Sequence, residues 1–326
     1  MGKKSKTAIA TVVANTIEEP LAIDNVEALM DVMLAEYIQV NTVPTGRISG
    51  GPSAETLHDG TSQRIHLAAL CHFEHGCPLN LTHFIETATG QQSKPARQVG
   101  LEWWARTRLR FSCSTLCCSF IKEIVPSLQS AGIEEIPSRL IGKSIRLEDL
   151  EIWNIYFLPE ARHEVVLHYP AFARTDVVEA LAGTPPHCSH NVLCCKKTGI
   201  ILDLALGQFL GTMQAYVFAS KGDFLEKLPG QVLDCGKTME TDILQQYALD
   251  NSAPRKLISP DSTPKKFAKR VLSACRSKKD YCWSCKGIAA PGTKLKRCTK
   301  CQKATYCGRN CQLLHWTSHK SQCSTA

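Results

Sequence analysis

Apolar residues fall at Val26, Leu29, Met30, Met33, Leu34 and Tyr37, the three-and-four spacing that lays one stripe along a helix. Asp24 followed by Glu27 has the form of a capping box, so a helix is expected to open there. Residues 1–22 carry no such period and read as a disordered N-terminus. A Gly/Pro/Ser-rich run over 41–63 breaks the pattern as a loop would. Helical spacing resumes over 64–71, 101–110 and 114–128.

Past Gly132 the period shortens. Segments 136–140, 152–158 and 164–169 are short, apolar or alternating, and bounded by proline, which predicts strands. Segments 191–195 and 200–206 make two more, joined by a hairpin-length Lys196-Lys197-Thr198-Gly199 turn. Helices followed by strands define an α+β body over 23–250. Residues 251–281 are rich in Pro, Ser and Lys and read as a basic linker. The longest apolar stretch, 200–219, is interrupted by Asp203, Gln208 and Gln214, a pattern that suits core segments and not a membrane span.

The chemistry concentrates after the linker. Cys282-x2-Cys285, Cys298-x2-Cys301, Cys307-x3-Cys311 and His319-x3-Cys323 place four ligand pairs in 42 residues. Thiolate and imidazole are zinc's preferred ligands, and eight of them satisfy two tetrahedral sites with none spare. A segment this short buries too little apolar surface to fold unaided, so metal binding supplies folding free energy. Closed four-ligand sites leave no position for water or substrate, which makes both zincs structural. If residues 308–319 form one helix, Cys307 and Cys311 share one face and His319 and Cys323 another, about 120° further round. His315 aligns with neither pair and is the alternative ligand to His319. The spacing by itself leaves sequential and interleaved pairing open.

Tyr306-Cys307, Cys311-Gln312, Trp316, His319-Lys320 and Cys323, after two CxxC knuckles, resemble the MYND zinc finger family. The resemblance covers 282–323 and implies interleaved sites: Cys282, Cys285, Cys307 and Cys311 on one zinc, Cys298, Cys301, His319 and Cys323 on the other. It also implies a protein-interaction module that takes short proline-containing peptides. Some MYND fingers accompany SET methyltransferases, but no SET-like Asn-His-Ser-Cys segment or Gly-rich cofactor motif occurs here. Where the family often has an acid before the tryptophan, this chain has His315.

Two weaker sets lie in the body. Cys71-His72-x2-His75-x-Cys77 holds four ligand types in seven residues, too compact for one tetrahedral metal, and reads as a loop. Cys113 precedes a helical run, a place where the helix dipole stabilises a thiolate. His190 and Asp203 sit on the two arms of the predicted hairpin, side by side. The order Cys-helix, His-strand, Asp-strand looks like the papain/transglutaminase arrangement, with Cys113, His190 and Asp203 as nucleophile, base and orienting acid. Cys117 and Cys118 are rivals for the helix terminus. The plain alternative is a core cysteine, a loop histidine and a turn aspartate.

The formal net charge of +8 is unevenly placed: from Lys265 onward 15 Lys/Arg face one acid, Asp280, and the remainder carries −6. Such a tail suits an acidic partner or nucleic acid, or merely a soluble surface. Finger aromatics are few for base stacking, so nucleic acid ranks below a peptide. Without a secretory apolar run near Met1, the ten cysteines outside the finger are expected to be reduced and mostly buried, in the cytoplasm or nucleus. The sequence thus points to an interaction or adaptor protein with a recruiting finger and two Zn2+. A papain-like thiol hydrolase or transferase, or an inactive relative of one, is the second reading, and a nucleic-acid-associated nuclear factor the third.

Overall fold

The structure is a computed structural model and describes residues 21, 23–40, 46–48, 55–56, 63–69, 94–109, 112–161, 163–168, 177–182, 188–238, 264–289, 292–320 and 323. The candidate cluster at Cys71, His72, His75 and Cys77 lies outside them.

Helix α1 spans Val26–Val40 and buries Val26, Leu29, Met30, Met33 and Leu34, the stripe its sequence announces. Its cap differs from the expected one. Ala28 donates its backbone N–H to Asn25 Oδ1 at 2.9 Å, and Glu27 is occupied elsewhere. Glu27 accepts from Ser138 Oγ at 2.6 Å and from the backbone N–H groups of Arg139 and Leu140. Those three donors line the turn between β4 (Glu135–Ser138) and β5 (Lys143–Arg146), an antiparallel ribbon that Glu27 ties to α1.

Of the segment expected as helix over 64–71, the described part, 64–69, is instead strand. Three strands, β1 (Gly46–Ile48), β2 (Glu55–Thr56) and β3 (Gln63–Ala69), belong to one sheet with β7 (His163–His168) and β8 (Val177–Ala182). Ile65 and Leu67 alternate with Arg64 and His66, a period of two, and β3 pairs parallel to β7. A few apolar residues in a short window do not separate the two periods, and the distant partner β7 decided the outcome.

Helix α2 (Lys94–Leu109) leads to α3 (Ser112–Ser119), which continues through a π-turn at Phe120–Ile124 into α4 (Val125–Ser130). Val125 donates to the carbonyl of Phe120, five residues back, where an α-helix would reach back four. The cause lies one residue on. Pro126 has no N–H and its ring would strike the carbonyl four residues earlier, and one widened turn lets the rod pass it without breaking.

The second sheet runs β11 (Tyr216–Phe218), β10 (Ile201–Asp203), β9 (Cys188–Cys195), β6 (Leu150–Pro159) and β12 (Gly230–Lys237), antiparallel throughout. Side chains of β9 alternate between two apolar clusters. Leu193 and Cys195 join the helical layer, whereas Val192 and Cys194 join Phe157, Phe209 and Phe224. The sheet is therefore covered on both faces, and β9, in its middle, is almost wholly buried. Two short helices, α5 (Gly207–Leu210) and α6 (Lys221–Lys227), follow β10 and β11.

Within the stretch expected as linker, Pro264–Arg276 forms helix α7. It buries Phe267, Ala268, Val271, Leu272 and Cys275 and leaves Lys265, Lys266 and Lys269 outside. Phe267 meets Tyr37 of α1 edge-on, with ring centroids 6.2 Å apart. Glu36 of α1, 1% exposed, takes Arg270 at 2.8 Å, Lys279 at 2.7 Å and the hydroxyl of Tyr281 at 2.6 Å. Burial alone would raise its pKa, but the bonds from Lys279 and Tyr281 and the two cations bring the carboxyl below its usual range. The body is thus mixed helix and sheet, with the last segment packed against it. Among the described residues no helix is long and apolar enough to cross a membrane.

Candidate functional site

Two constellations stand out. The first is built on β13 (Lys296–Arg297), β14 (Thr305–Tyr306) and helix α8 (Arg309–His319). Each CxxC pair sits in a tight knuckle: Lys286 N–H donates to the Cys282 carbonyl at 2.8 Å, and Gln302 N–H to that of Cys298 at 2.9 Å. Lys286 and Gln302 follow the second cysteine of each knuckle with φ of 58° and 55°, left-handed positions that cost a side-chain-bearing residue about 1 kcal/mol or more. That strain persists because the knuckle is over-determined by its ligands.

Cys282, Cys285, Cys307 and Cys311 form one cluster and Cys298, Cys301, His319 and Cys323 the other, the ligand atoms of each lying within 4.8 Å of one another. Four ligands about 2.3 Å from a tetrahedral zinc stand about 3.8 Å apart. Cys285 and Cys307 sulfurs are 3.6 Å apart, those of Cys298 and Cys323 3.8 Å, and Cys301 Sγ is 3.5 Å from His319 Nε2. The donor chemistry and spacing fit two zinc ions, paired in the interleaved manner. His315 stands outside both clusters, its Nδ1 engaged with the Tyr306 hydroxyl at 3.1 Å.

The finger is not a free appendage. Trp104 of α2 donates its indole N–H to the Cys285 carbonyl at 3.4 Å, and Gln39 of α1 donates to the Lys286 carbonyl at 3.5 Å. Lys286 also pairs with Asp31 at 2.9 Å. Trp283, Leu313 and Trp316 remain open to solvent, as do Lys294, Lys296, Lys300 and Lys303.

The second constellation is in the body. The structure brings Cys113, His190 and Asp203 together. Cys113 is the second residue of α3, His190 lies on β9 and Asp203 ends β10. Leu202 faces Leu193 across the hairpin, a register that sets Asp203 diagonally from His190 on the same face. His190 Nε2 meets Asp203 Oδ2 at 2.7 Å, both side chains fully buried. The other carboxylate oxygen, Oδ1, accepts the N–H groups of Ala205 and Leu206, each at 2.8 Å, so the acid is fixed from both ends. Phe209 stands edge-on to the imidazole at 5.1 Å.

Burial would lower the pKa of His190, but Asp203 and then Cys113 reverse that and hold it at about 10. Burial would likewise raise the Cys113 thiol; its bond to His190, the imidazolium charge and the Asn191 N–H outweigh this, so it lies below the ordinary thiol range. Both shifts run toward the charged form of each group. Cys117, buried one turn along, is pushed well above an ordinary thiol, and burial raises Cys118 to about 11. Of the three neighbouring thiols, Cys113 alone is shifted downward.

Five residues that shape this site escaped the sequence reading. Gln208 Nε2 lies 3.5 Å from His190 Nδ1. Arg106 donates to the carbonyls of Gln208 and Phe209 and anchors the end of α5. Asn191 donates its side-chain N–H to Ser114 Oγ at 2.8 Å, tying α3 to β9. Gly207 and Gly211 signalled the tight geometry: a Cβ at Gly207 would lie 1.9 Å from the Thr212 carbonyl oxygen, and Gly211 has φ 68°.

Short paired knuckles, an interleaved ligand order and a closing helix define a small finger with two four-ligand clusters. Residues 282–323 match the model of the MYND finger, and the C-terminal segment is such a finger, a module whose usual role is protein interaction. No solved structure matches the chain.

Proposed function

We propose that the body is a thiol enzyme acting on acyl groups, a papain/transglutaminase-like hydrolase or transferase, and that the MYND finger recruits its protein partner. One observation carries the reading: the buried His190 imidazole is held by Asp203 at 2.7 Å and interacts with the thiol of Cys113, at the start of a helix. In the reaction the Cys113 thiolate attacks an acyl carbonyl carbon, forming the C–S bond while the carbonyl π pair moves to oxygen. Collapse of that adduct expels the leaving group, which takes the proton from His190, and leaves a thioester on Cys113. The now neutral imidazole then removes a proton from water or an amine, whose lone pair attacks the thioester; collapse returns the sulfur as thiolate. Asp203 keeps the ring oriented and its charge supported throughout.

The test is alkylation of the full chain with iodoacetamide at mildly acidic pH, followed by mapping of the modified cysteines. Cys113 should react first among the non-ligand cysteines, and His190→Ala should abolish that preference. Equal or slower labelling of Cys113 would overturn the reading.

A second reading concerns the finger alone: an adaptor that binds short acidic or proline-containing peptides. It is favoured by the exposed Trp283, Leu313 and Trp316 beside four exposed lysines. Neutralising Lys294, Lys296 and Lys300 should slow association with an acidic, proline-containing peptide and flatten its salt dependence while the metals stay bound. Binding of nucleic acid alone, steeply weakened by salt, would overturn it.

A further inference from the structure

We infer that Cys113 and Cys117 join in a reversible disulfide when a hydroperoxide oxidises Cys113, so that the first turn of α3 is a redox modification site. This rests on the thiol-enzyme reading and adds to it a way of silencing the nucleophile.

Helix geometry picks the partner. Four residues of α-helix turn through about 400° and rise about 6 Å, which leaves Cys113 and Cys117 on one face with Cα atoms about 6 Å apart. That separation lies inside the range of about 4.4–6.8 Å that a disulfide spans. Cys118, one residue further, is turned about 140° away from Cys113 at a Cα distance of about 9 Å, beyond bridging without backbone movement. Strand β9 marks the shared face. The backbone N–H of Asn191 donates to the Cys113 sulfur, and the carbonyl of the same residue accepts from Cys117 Sγ at 3.4 Å. Both sulfurs therefore stand against a single strand residue.

Burial selects the oxidant and the order of events. Cys113 is 7% exposed and Cys117 fully buried, so hydrogen peroxide reaches the first sulfur far more readily than a bulky thiol such as glutathione. The thiol that resolves the oxidised product then has to come from within the fold. Cys117 takes no part in the first step, because burial holds it well above an ordinary thiol and so protonated.

The Cys113 thiolate attacks one oxygen of the peroxide; the S–O bond forms, the O–O bond breaks, and the departing hydroxide takes the His190 proton and leaves as water. Cys113 is now a sulfenic acid. The Cys117 sulfur attacks the Cys113 sulfur, forming S–S as S–O breaks, and the hydroxide departs with the Cys117 proton as a second water. Two thiols have lost two electrons and the peroxide has gained them. Neighbours one helical turn apart have Cβ atoms about 5–6 Å apart, and a disulfide draws them to about 3.5–4.5 Å. Cys113 is the second residue of α3, in the turn whose backbone N–H groups have no helical partner, so the chain can tighten there. Some strain remains, and strained disulfides are the readily reduced ones, which makes the closure reversible.

The experiment treats the zinc-loaded full chain with hydrogen peroxide, unfolds it in iodoacetamide and maps the tryptic peptide 111–122. In the wild type Cys118 should be alkylated, Cys113 and Cys117 should be joined and two hydrogens short, and dithiothreitol should restore native-state alkylation of Cys113. In Cys117→Ser the joined peptide should be lost. Cys113 should then be trapped by dimedone as sulfenic acid, and without dimedone pass to sulfinic acid that dithiothreitol does not reverse. Cys118→Ser should behave as the wild type. Selective alkylation of Cys113 at acidic pH in unoxidised Cys117→Ser shows that the variant is folded, and Cys117→Ala gives the same comparison without a hydroxyl. A Cys113 that alkylates selectively yet reaches sulfinic acid equally fast in the wild type and in Cys117→Ser leaves the thiol-enzyme reading standing and overturns the disulfide, as does a bond to Cys118. A Cys113 neither alkylated nor oxidised ahead of the other non-ligand thiols overturns both.

Discussion

Asp203 is the residue on which the body site turns, because its two oxygens do different things: one holds His190 and the other shapes the chain toward Gln208. Asp203→Asn should therefore weaken the acid-pH reactivity of Cys113, read as the rate of its alkylation. The pH profile follows from the direction of the shifts. As pH falls below the depressed Cys113 value the thiolate is protonated and acyl transfer slows. Above about 10 the imidazolium loses its proton, and the step that needs a proton for the leaving group slows as well. A rate–pH profile of acyl transfer should thus be a broad bell whose basic limb shifts down in Asp203→Asn. The neighbourhood of His190 and Asp203 was legible in the sequence because a four-residue turn fixes a hairpin's register, and register fixes which side chains are neighbours. Gln208 was not, since the strand expected over 200–206 ends early, at Asp203, and bends there into α5. The signal that could have found it is an acid followed shortly by Gly207 and Gly211, which frame a short turn of helix.

At the scale of elements, α5 is the most confined piece. Gly207→Ala forces a methyl group against the Thr212 carbonyl and should cost about 1–3 kcal/mol in a denaturant melt. Helix α7 hid behind its composition. Proline, serine and lysine suggested a linker, yet Phe267, Ala268, Val271, Leu272 and Cys275 repeat at helical spacing and are all buried. Phe267→Ala should destabilise the whole chain by about 3–5 kcal/mol, measured by thermal or chemical unfolding, whereas an unpacked linker residue would cost almost nothing. The exchange of helix for strand at Gln63–Ala69 has another cause: its partner lies a hundred residues away, and no local window contains it.

For the whole molecule, the finger and the body share one apolar core, which runs from α1 and α2 to the cysteine clusters. Metal analysis should return two zinc equivalents per chain. His319→Ala should lose one of them, and His315→Ala should keep both, since His315 binds Tyr306 and no cluster. Chelation should melt the finger and also lower the unfolding temperature of the body, because Trp104 and Gln39 lose the carbonyls they bond. A body whose melt is unmoved by chelation would mean these contacts carry no stability. The finger's ligands and their count were legible because metal geometry is local; its docking was not, because Glu36, Gln39 and Trp104 carry no mark in the sequence that tells them apart from other helix residues.

Glu36 also sets an order of events during synthesis. Its cationic partners lie 234 and 243 residues further along the chain, and Tyr281 lies 245. At ~5–20 residues per second, the ribosome needs roughly 12 to 50 s to make that interval. Through that time α1 lacks α7, the helix packed against it, and the Glu36 carboxylate lacks the cations that accompany its burial. Among the described residues the first helix therefore completes its packing only when nearly the last has been made. Ribosome-bound chains halted before Arg270 should leave α1 open to protease, and chains extended far enough for residue 281 to clear the exit tunnel should protect it.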